Sequence, residues 1–309
     1  MKELSIIIPV FNSGDNIAEL SRQIMDALKD ISFEVIFIND GSRDNSWDVI
    51  KKVAAENEKI IAINFRRNFG QDNAILAGIN QATGNYMVIM DDDLQHSPYD
   101  IAKLYNKCKE GYDVCYAHFP EKKQRIWKNF GSWLNGAFAY WLLKKPKGIY
   151  MSPFKVIKKD VAKSLLQYPG PFPYIDGLIL DFTNNLTFVE VEHYKRHKGK
   201  SNYNFFRSFA VFLKTLTSFS VIPLRIATII GFISAFTGFI TAIYFLIKYL
   251  TITYYEVEGW TSLIVTLLII GGILLMSIGL IGEYLGRMFL TLNKKPQYSI
   301  GEIIGKEKE

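Results

Sequence analysis

Residues 86–95 read Tyr-Met-Val-Ile-Met-Asp-Asp-Asp-Leu-Gln. The first five are mostly apolar and unbroken by Gly or Pro, the pattern of a buried strand. That strand runs straight into Asp91, Asp92 and Asp93. Adjacent carboxylates repel one another, so such an arrangement calls for a cation, and hard oxygen donors favour Mg2+ or Mn2+ bridging to substrate phosphates. The bland alternative is a solvated acidic turn before the helix that Pro98 opens.

Upstream and downstream, short β-rich runs (4–9, 33–39, 60–65 and 113–117) alternate with segments of helical spacing (16–29, 46–56, 73–82 and 99–109). Strand–helix alternation predicts an α/β fold, a mostly parallel sheet covered by helices on both faces. Ligands of such sheets bind at the carboxyl ends of the strands. Polar motifs fall there four times: Pro9 to Asn12, Asn39 to Ser42, Arg66 to Gly70 and Asp91 to Gln95. Asp40 follows an apolar run and precedes a Gly-Ser turn, where a carboxylate either accepts from the ring N–H of a uracil or guanine or simply caps the turn. Asp44 reads as part of the turn or cap that starts the helix at Ser46. No Gly-x-Gly-x-x-Gly or Walker loop occurs, which removes support for dinucleotide oxidoreductases and P-loop NTPases.

The last third of the chain is of another kind. Residues 226–250 form an apolar run with one charge, Lys248, at its edge, and residues 260–282 carry none. Each exceeds the ~20 residues that cross a bilayer core. Lys195, Arg196, Lys198, Lys200, Arg207, Lys214 and Arg225 precede the first run with no acid between 195 and 225; Glu256 and Glu258 occupy the connector; Arg287, Lys294 and Lys295 follow the second. The positive-inside bias predicts two spans with both termini cytoplasmic. Residues 204–221, with Phe205, Phe206, Phe209, Phe212, Arg207 and Lys214, fit an interfacial amphipathic helix. The net charge of +6 owes much to this stretch, which suits anionic lipid headgroups rather than nucleic acid. The N-terminus reads as a strand, not a secretory signal. Cys108 and Cys115, the only cysteines, are expected to be inert packing residues in a reducing compartment.

Taken in order and spacing, Pro9-Val10-Phe11-Asn12, Asn39-Asp40-Gly41-Ser42-Arg43-Asp44-Asn45-Ser46, Arg67-Asn68-Phe69-Gly70 and Asp91-Asp92-Asp93-Leu94-Gln95 resemble glycosyltransferase family 2. Lys198-Gly199-Lys200-Ser201-Asn202-Tyr203, Thr217-Ser218-Phe219-Ser220 with Pro223-Leu224-Arg225, and Gly282-Glu283-Tyr284-Leu285-Gly286-Arg287 resemble its polyprenyl-phosphate branch, which is similar to dolichol-phosphate mannose synthases and bactoprenol-phosphate sugar transferases. The resemblance implies a GT-A catalytic domain over 1–203, a juxtamembrane segment over 204–225, a two-helix hairpin over 226–284 and a cytoplasmic tail over 285–309. It implies an inner-membrane enzyme that uses a UDP- or GDP-linked sugar and a polyprenyl phosphate, and a homo-oligomer, a tetramer in the family.

Carried over by motif, Pro9, Phe11, Asn12 and Asp40 belong to the nucleotide pocket. Asp91 and Asp93 hold the diphosphate through Mg2+ or Mn2+, with Gln95 beside them. Asp92 is grouped with the nucleotide contacts, although it fills a position usually small in relatives and could equally face solvent. Arg125, Lys128 and Ser132 fall where the family places phosphate contacts, and Arg196, Lys200 and Ser201 fall in the loop that closes over the site. Ser13 stands where many relatives carry Glu, and His118 or Phe119 where many carry Arg. A lipid monophosphate, with a second pKa of about 6, is already largely anionic near neutral pH, so a strong general base is less needed than for a sugar hydroxyl. Asp176 is the candidate if a base or sugar-hydroxyl ligand is required; a helix-start residue is the alternative. In-line attack inverts the anomeric centre. Two other classes compete: a processive polysaccharide synthase, disfavoured by two spans and the lack of a Gln-x-x-Arg-Trp motif, and a non-catalytic scaffold, disfavoured by intact Asp40, Asp91 and Asp93.

Overall fold

The computed structural model describes residues 2–119, 149–170, 172–192, 221–251, 259–293 and 295–305. These form two compact units, one from residues 1–203 with 294–309, the other from 204–293.

The first unit is built on an eight-stranded sheet. Strands β1 (Leu4–Val10), β2 (Phe33–Asn39), β3 (Ile60–Phe65) and β4 (Tyr86–Ile89) are joined by helices α1 (Gly14–Ala27), α2 (Ser46–Glu56) and α3 (Gln71–Gln81). After a 3-10 turn at Pro98–Asp100 come α4 (Ile101–Lys109), β5 (Val114–His118), β6 (Lys155–Lys158), α5 (Lys159–Leu165), α6 (Ile175–Phe182) and β7 (Leu186–Glu190). Strand β8 (Ile300–Ile304) completes the sheet, in the order β7-β5-β6-β4-β1-β2-β3-β8. The central strands β4, β1, β2 and β3 are parallel, whereas β6 and β8 join antiparallel.

Every residue of β1 and of β2 is buried, as strands covered on both faces must be. Alternation decides which cover each side chain meets. Ile6, Ile8, Val35, Phe37 and Val88 share one core with Ile17, Leu20 and Ile24 of α1, Ile50 of α2, and Ile101 and Leu104 of α4. On the opposite face α3 lies so close that a Cβ on Gly78 would come within 2.4 Å of Ile7 Cγ2.

The sequence reading stops short of three strands: β6, β7 and β8 are short or charged and were not foreseen. The tail also divides differently from the 285–309 segment expected. The second apolar helix continues to Leu292, and residues 300–304 enter the sheet.

The amino ends of the strands are locked by one buried acid. Glu34 Oε1 accepts from Ser5 Oγ (2.6 Å), Thr83 N (2.7 Å) and Thr83 Oγ1 (2.9 Å), and Lys2 Nζ donates to Oε2 (3.0 Å). Burial alone would raise the carboxyl's pKa, but these donors outweigh it and hold the value below normal. The carboxyl ends of β1 and β4 lie at the point where strand order reverses, the place where an open α/β sheet leaves a crevice.

The second unit contains α7 (Ile222–Thr251) and α8 (Trp260–Leu292), helices long and apolar enough to cross a membrane. Their large side chains, among them Phe232, Phe236, Phe239, Leu275 and Leu292, are exposed. The hydroxyls of Thr228, Thr237, Thr241 and Ser277 each donate to a carbonyl one turn back, so they need no water within a hydrocarbon layer.

Replacing Glu34 by Ala removes the acceptor from the buried Ser5 hydroxyl and from both Thr83 donors and is expected to cost about 2–4 kcal/mol. Because the lock is at the end of the sheet away from the crevice, turnover per folded molecule should remain normal. Urea unfolding, with activity corrected for the folded fraction, measures both.

Candidate active site

Four loops converge at the carboxyl edge, those after β1, β2, β3 and β4. After β1, Asn12 N–H donates to Ser42 Oγ (3.0 Å), and Asn12 Oδ1 accepts from Arg43 N (2.8 Å), lacing the first loop to the second. Asp44 accepts from Ser46 N (3.1 Å), Ser46 Oγ (2.5 Å) and Gly14 N (3.2 Å), the capping role expected of it.

After β2, Asp40 is 3% exposed. Its two oxygens accept from Phe69 N (2.6 Å) and Gly70 N (2.9 Å), and its carbonyl accepts from Asn68 Nδ2 (3.1 Å). Burial pushes the Asp40 carboxyl upward, and the two N–H donors oppose that shift. The close approach explains Gly41, whose φ is +65° and whose Cβ would lie 2.6 Å from Asn68 N. Each Asp40 oxygen has a second lone pair for a ligand donor.

After β4, Asp91 Oδ1 accepts from Gln71 Nε2 (2.7 Å), Asp92 Oδ2 from Phe11 N (3.3 Å) and Asp93 Oδ1 from Gln95 N (3.1 Å). Burial, then repulsion by Asp93 and Asp92, pushes Asp91 up to about 6. Burial likewise pushes Asp92 up to about 6, opposed by bonds from Ser13 and Phe11. Asp92 therefore does not face solvent; it turns into the site and ties the acidic loop to the first one. Leu94 takes a positive φ of 60°. His96 Nδ1 accepts from Asp91 N (3.4 Å), and its ring stacks on Phe119 and Phe154 at 5.5 and 5.3 Å, fixing the loop against the core.

The loops enclose a cavity of about 310 Å³ lined by Pro9, Val10, Phe11, Asp40, Asn68, Gly70, Gln71, Asp91, Asp92 and Asp93. Phe11 is 48% exposed, leaving a ring available for stacking. The cavity thus gathers Pro9, Phe11, Asp40 and all three acids from the expected set. Asn12 and Gln95 are not in its lining and act on the loops that form it. Arg125, Lys128, Ser132, Arg196, Lys200 and Ser201 lie outside the described residues, as does most of 204–221.

Asp176 does not line the cavity either. Its Oδ1 is committed to the Lys155 ammonium and to Tyr116 OH (3.1 Å). Lys155, on β6 beside Ile89, is 2% exposed. Next to this pair Asp72, in the first turn of α3, accepts from Ile175 N (3.4 Å). Burial raises its carboxyl to about 6, and the charge of Asp176 adds to the shift. Gln71, Asp72, His96, Tyr116 and Lys155 are the functional surroundings that sequence reasoning missed. Only the position of Gln71, directly after the Arg-Asn-Phe-Gly motif, marked one of them.

A raised carboxyl pKa means the folded chain binds more protons than the unfolded chain between pH 3.8 and about 6. Stability from Asp72 is thus retained at low pH and lost as pH rises through that window. Asp72→Asn should stabilise the fold at pH 7.5 by at most about 3 kcal/mol, seen as a raised unfolding midpoint, and the gain should vanish near pH 4. Thermal unfolding of both proteins at the two pH values tests this.

Residues 5–166 match the model of glycosyl transferase family 2, and residues 222–288 match that of the GtrB C-terminal hairpin. An uncharacterized glycosyltransferase of Synechocystis is 32% identical over 99% of this chain and 96% of its own length. An undecaprenyl-phosphate 4-deoxy-4-formamido-L-arabinose transferase of Photorhabdus laumondii is 28% identical over 100% and 96%. Glucosyl-3-phosphoglycerate synthase of Mycobacterium tuberculosis, in complex with Mn2+, uridine-diphosphate and phosphoglyceric acid, shares the fold with a TM-score of 0.54 at 12% identity, over 71% of this chain and 78% of that one. A GT-A-like sheet with the acidic motif at its edge, a family model spanning more than half of the chain and relatives matched almost end to end place this chain in glycosyltransferase family 2.

Proposed function

We propose that the enzyme transfers a sugar from a nucleotide-sugar to a polyprenyl phosphate, undecaprenyl phosphate in a bacterial membrane, at the cytoplasmic face, for cell-envelope glycan synthesis. The observation that carries this reading is the cavity in which Asp40 and Phe11 lie beside three crowded carboxylates. Relatives named for undecaprenyl-phosphate sugar transfer support the acceptor, and two helices fit to cross a membrane bring the chain to a lipid substrate.

Among the described residues no group of three or more His, Cys, Asp or Glu forms a complete cation cage. Two carboxylates with the remaining positions left to substrate oxygens is the donor set a phosphate-bridging divalent ion requires. Asp91 and Asp93 fit it, since both are carboxylates in the cavity lining and each is oriented by a protein donor, Gln71 Nε2 on Asp91 and Gln95 N on Asp93. When bound, Mg2+ or Mn2+ supplies Lewis-acid neutralisation of the leaving diphosphate. Gln71 holds Asp91 in place, Gln95 N–H holds Asp93, and Asp92 draws the loop onto Phe11 N. Phe11 offers a stacking face to the base, and Asp40 an acceptor for its ring N–H.

The lipid phosphate oxygen attacks the anomeric carbon as the bond to the nucleoside diphosphate breaks, so the anomeric centre inverts. No proton need leave the anionic nucleophile. The commitment of Asp176 to Lys155 and Tyr116 accords with a reaction that has no demand for a strong base. Arg196 and Lys200 are proposed to bind phosphate in the closed complex, with Arg125, Lys128, Ser132 and Ser201 as further phosphate contacts.

Purified enzyme offered a panel of UDP- and GDP-sugars with a short-chain polyprenyl phosphate should form one glycosyl-phosphate lipid of inverted configuration. Asp91→Asn and Asp93→Asn should each lower turnover at least ~100-fold, equivalent to about 3 kcal/mol, and weaken Mn2+ binding measured by electron paramagnetic resonance. Wild-type turnover persisting in excess chelator would overturn the metal assignment.

The basic flanks place the connector between the helices outside and both termini in the cytoplasm. A cysteine at Thr253 should then react with an impermeant maleimide in intact cells, and one at Ser42 should not. Both native cysteines are buried, so background labelling should be low. The reverse pattern would invert the topology.

A further inference from the structure

Residues 297–304 reach the nucleotide end of the catalytic sheet from the far end of the chain. Strand β8 pairs antiparallel with β3 from Ala62–Ile304 to Phe65–Ile300, with an irregularity at Asn64 and Phe65. Arg66 N–H donates to Ser299 O (3.0 Å) beyond it. Pairing of this kind protects an open strand edge, and backbone alone suffices for that. The two residues preceding Ser299 do something edge protection does not require.

The Tyr298 ring stacks on Phe65 at 5.3 Å with planes 12° apart, and Phe65 meets the edge of Phe69 at 5.6 Å and 86°. The backbone N–H of Phe69 is the 2.6 Å donor to Asp40. Gln297 Nε2 anchors the segment by donating to the carbonyls of Tyr168 (2.9 Å) and Gly170 (2.8 Å). Tyr298 therefore holds the β3–α3 loop through a relay of two aromatic contacts, its own on Phe65 and that of Phe65 on Phe69.

We infer that Tyr298 is a positioning residue for nucleotide binding: stacked on Phe65, it sets the Phe69–Gly70 backbone that orients Asp40. This rests on the cavity at Asp40 being the nucleotide pocket proposed above. The loop it supports also delivers Gln71 to Asp91, so the same ring steadies the wall between base and diphosphate. Five residues separate it from Leu292, the end of α8, so the chain completes its donor pocket only after making its apolar helices.

Calorimetric binding of UDP and of GDP to the full-length protein in detergent tests the inference. Tyr298→Ala should raise the dissociation constant of the preferred nucleotide at least tenfold while the KM for the lipid phosphate stays within twofold. Tyr298→Phe keeps the stack and should stay within threefold of wild type. Ile304→Ala trims a β8 side chain packed against the core and should lower the unfolding midpoint with nucleotide affinity unchanged. Wild-type affinity in Tyr298→Ala, or an equal loss in Ile304→Ala, would overturn the positioning role and leave the pocket intact. Absence of UDP and GDP binding by the wild-type chain would overturn the pocket, and this inference with it.

Discussion

The bidentate grip of the Asp40 carboxylate on Phe69 N and Gly70 N is the interaction from which the site is strung. It ties the end of β2 to the start of α3, and α3 in turn presents Gln71 to Asp91. A hydrogen bond to a charged group contributes about 1.5–3 kcal/mol, more where water is excluded. Gly41 is held to glycine by that geometry, since its positive φ and the nearby backbone of Arg67 and Asn68 leave no room for a side chain. The Asp40 and Asp91 ends of the cavity are thus not independent. One short loop sets the distance between them.

Charge balance in the same region is deliberately uneven. Asp91, Asp92 and Asp72 all sit with carboxyls pushed to about 6, while the buried ammonium of Lys155 is taken up by Asp176. A fold optimised for stability alone would not crowd acids in this way. The buried ammonium nearest the β4 loop is thus already paired with a carboxylate outside the cavity lining.

Much of this was legible before any coordinates. Strands β1 to β5 are mostly apolar runs because each is buried on both faces or nearly so, and Asp40 and Asp91 stand out because polar residues end those runs abruptly. Strand β6 was illegible because Lys155 and Lys158 bound a four-residue segment, and a lysine reads as solvent-facing unless its carboxylate partner, here 21 positions away, is known. Strand β7 is partly exposed along its whole length, and β8 contains Gly301 and Glu302, so neither carries a core signature. Gln71, His96 and Tyr298 escaped for a related reason. Their roles are contacts with residues remote in sequence or particular to one loop geometry, and residue type alone does not encode those.

The placement of β8 has a consequence for how the protein is made. A ribosome emits residues in order, so the β3 edge stands unpaired while about 235 residues, including both apolar helices, are still to come. An exposed strand edge is a template for pairing with other chains, and a nascent catalytic domain in this condition is vulnerable to aggregation. The edge is closed only when the last strand emerges, after the helices have had their opportunity to enter a bilayer. Synthesis order therefore makes both apolar helices precede completion of the sheet, and a ribosome stalled within the hairpin leaves behind a domain with an open flank.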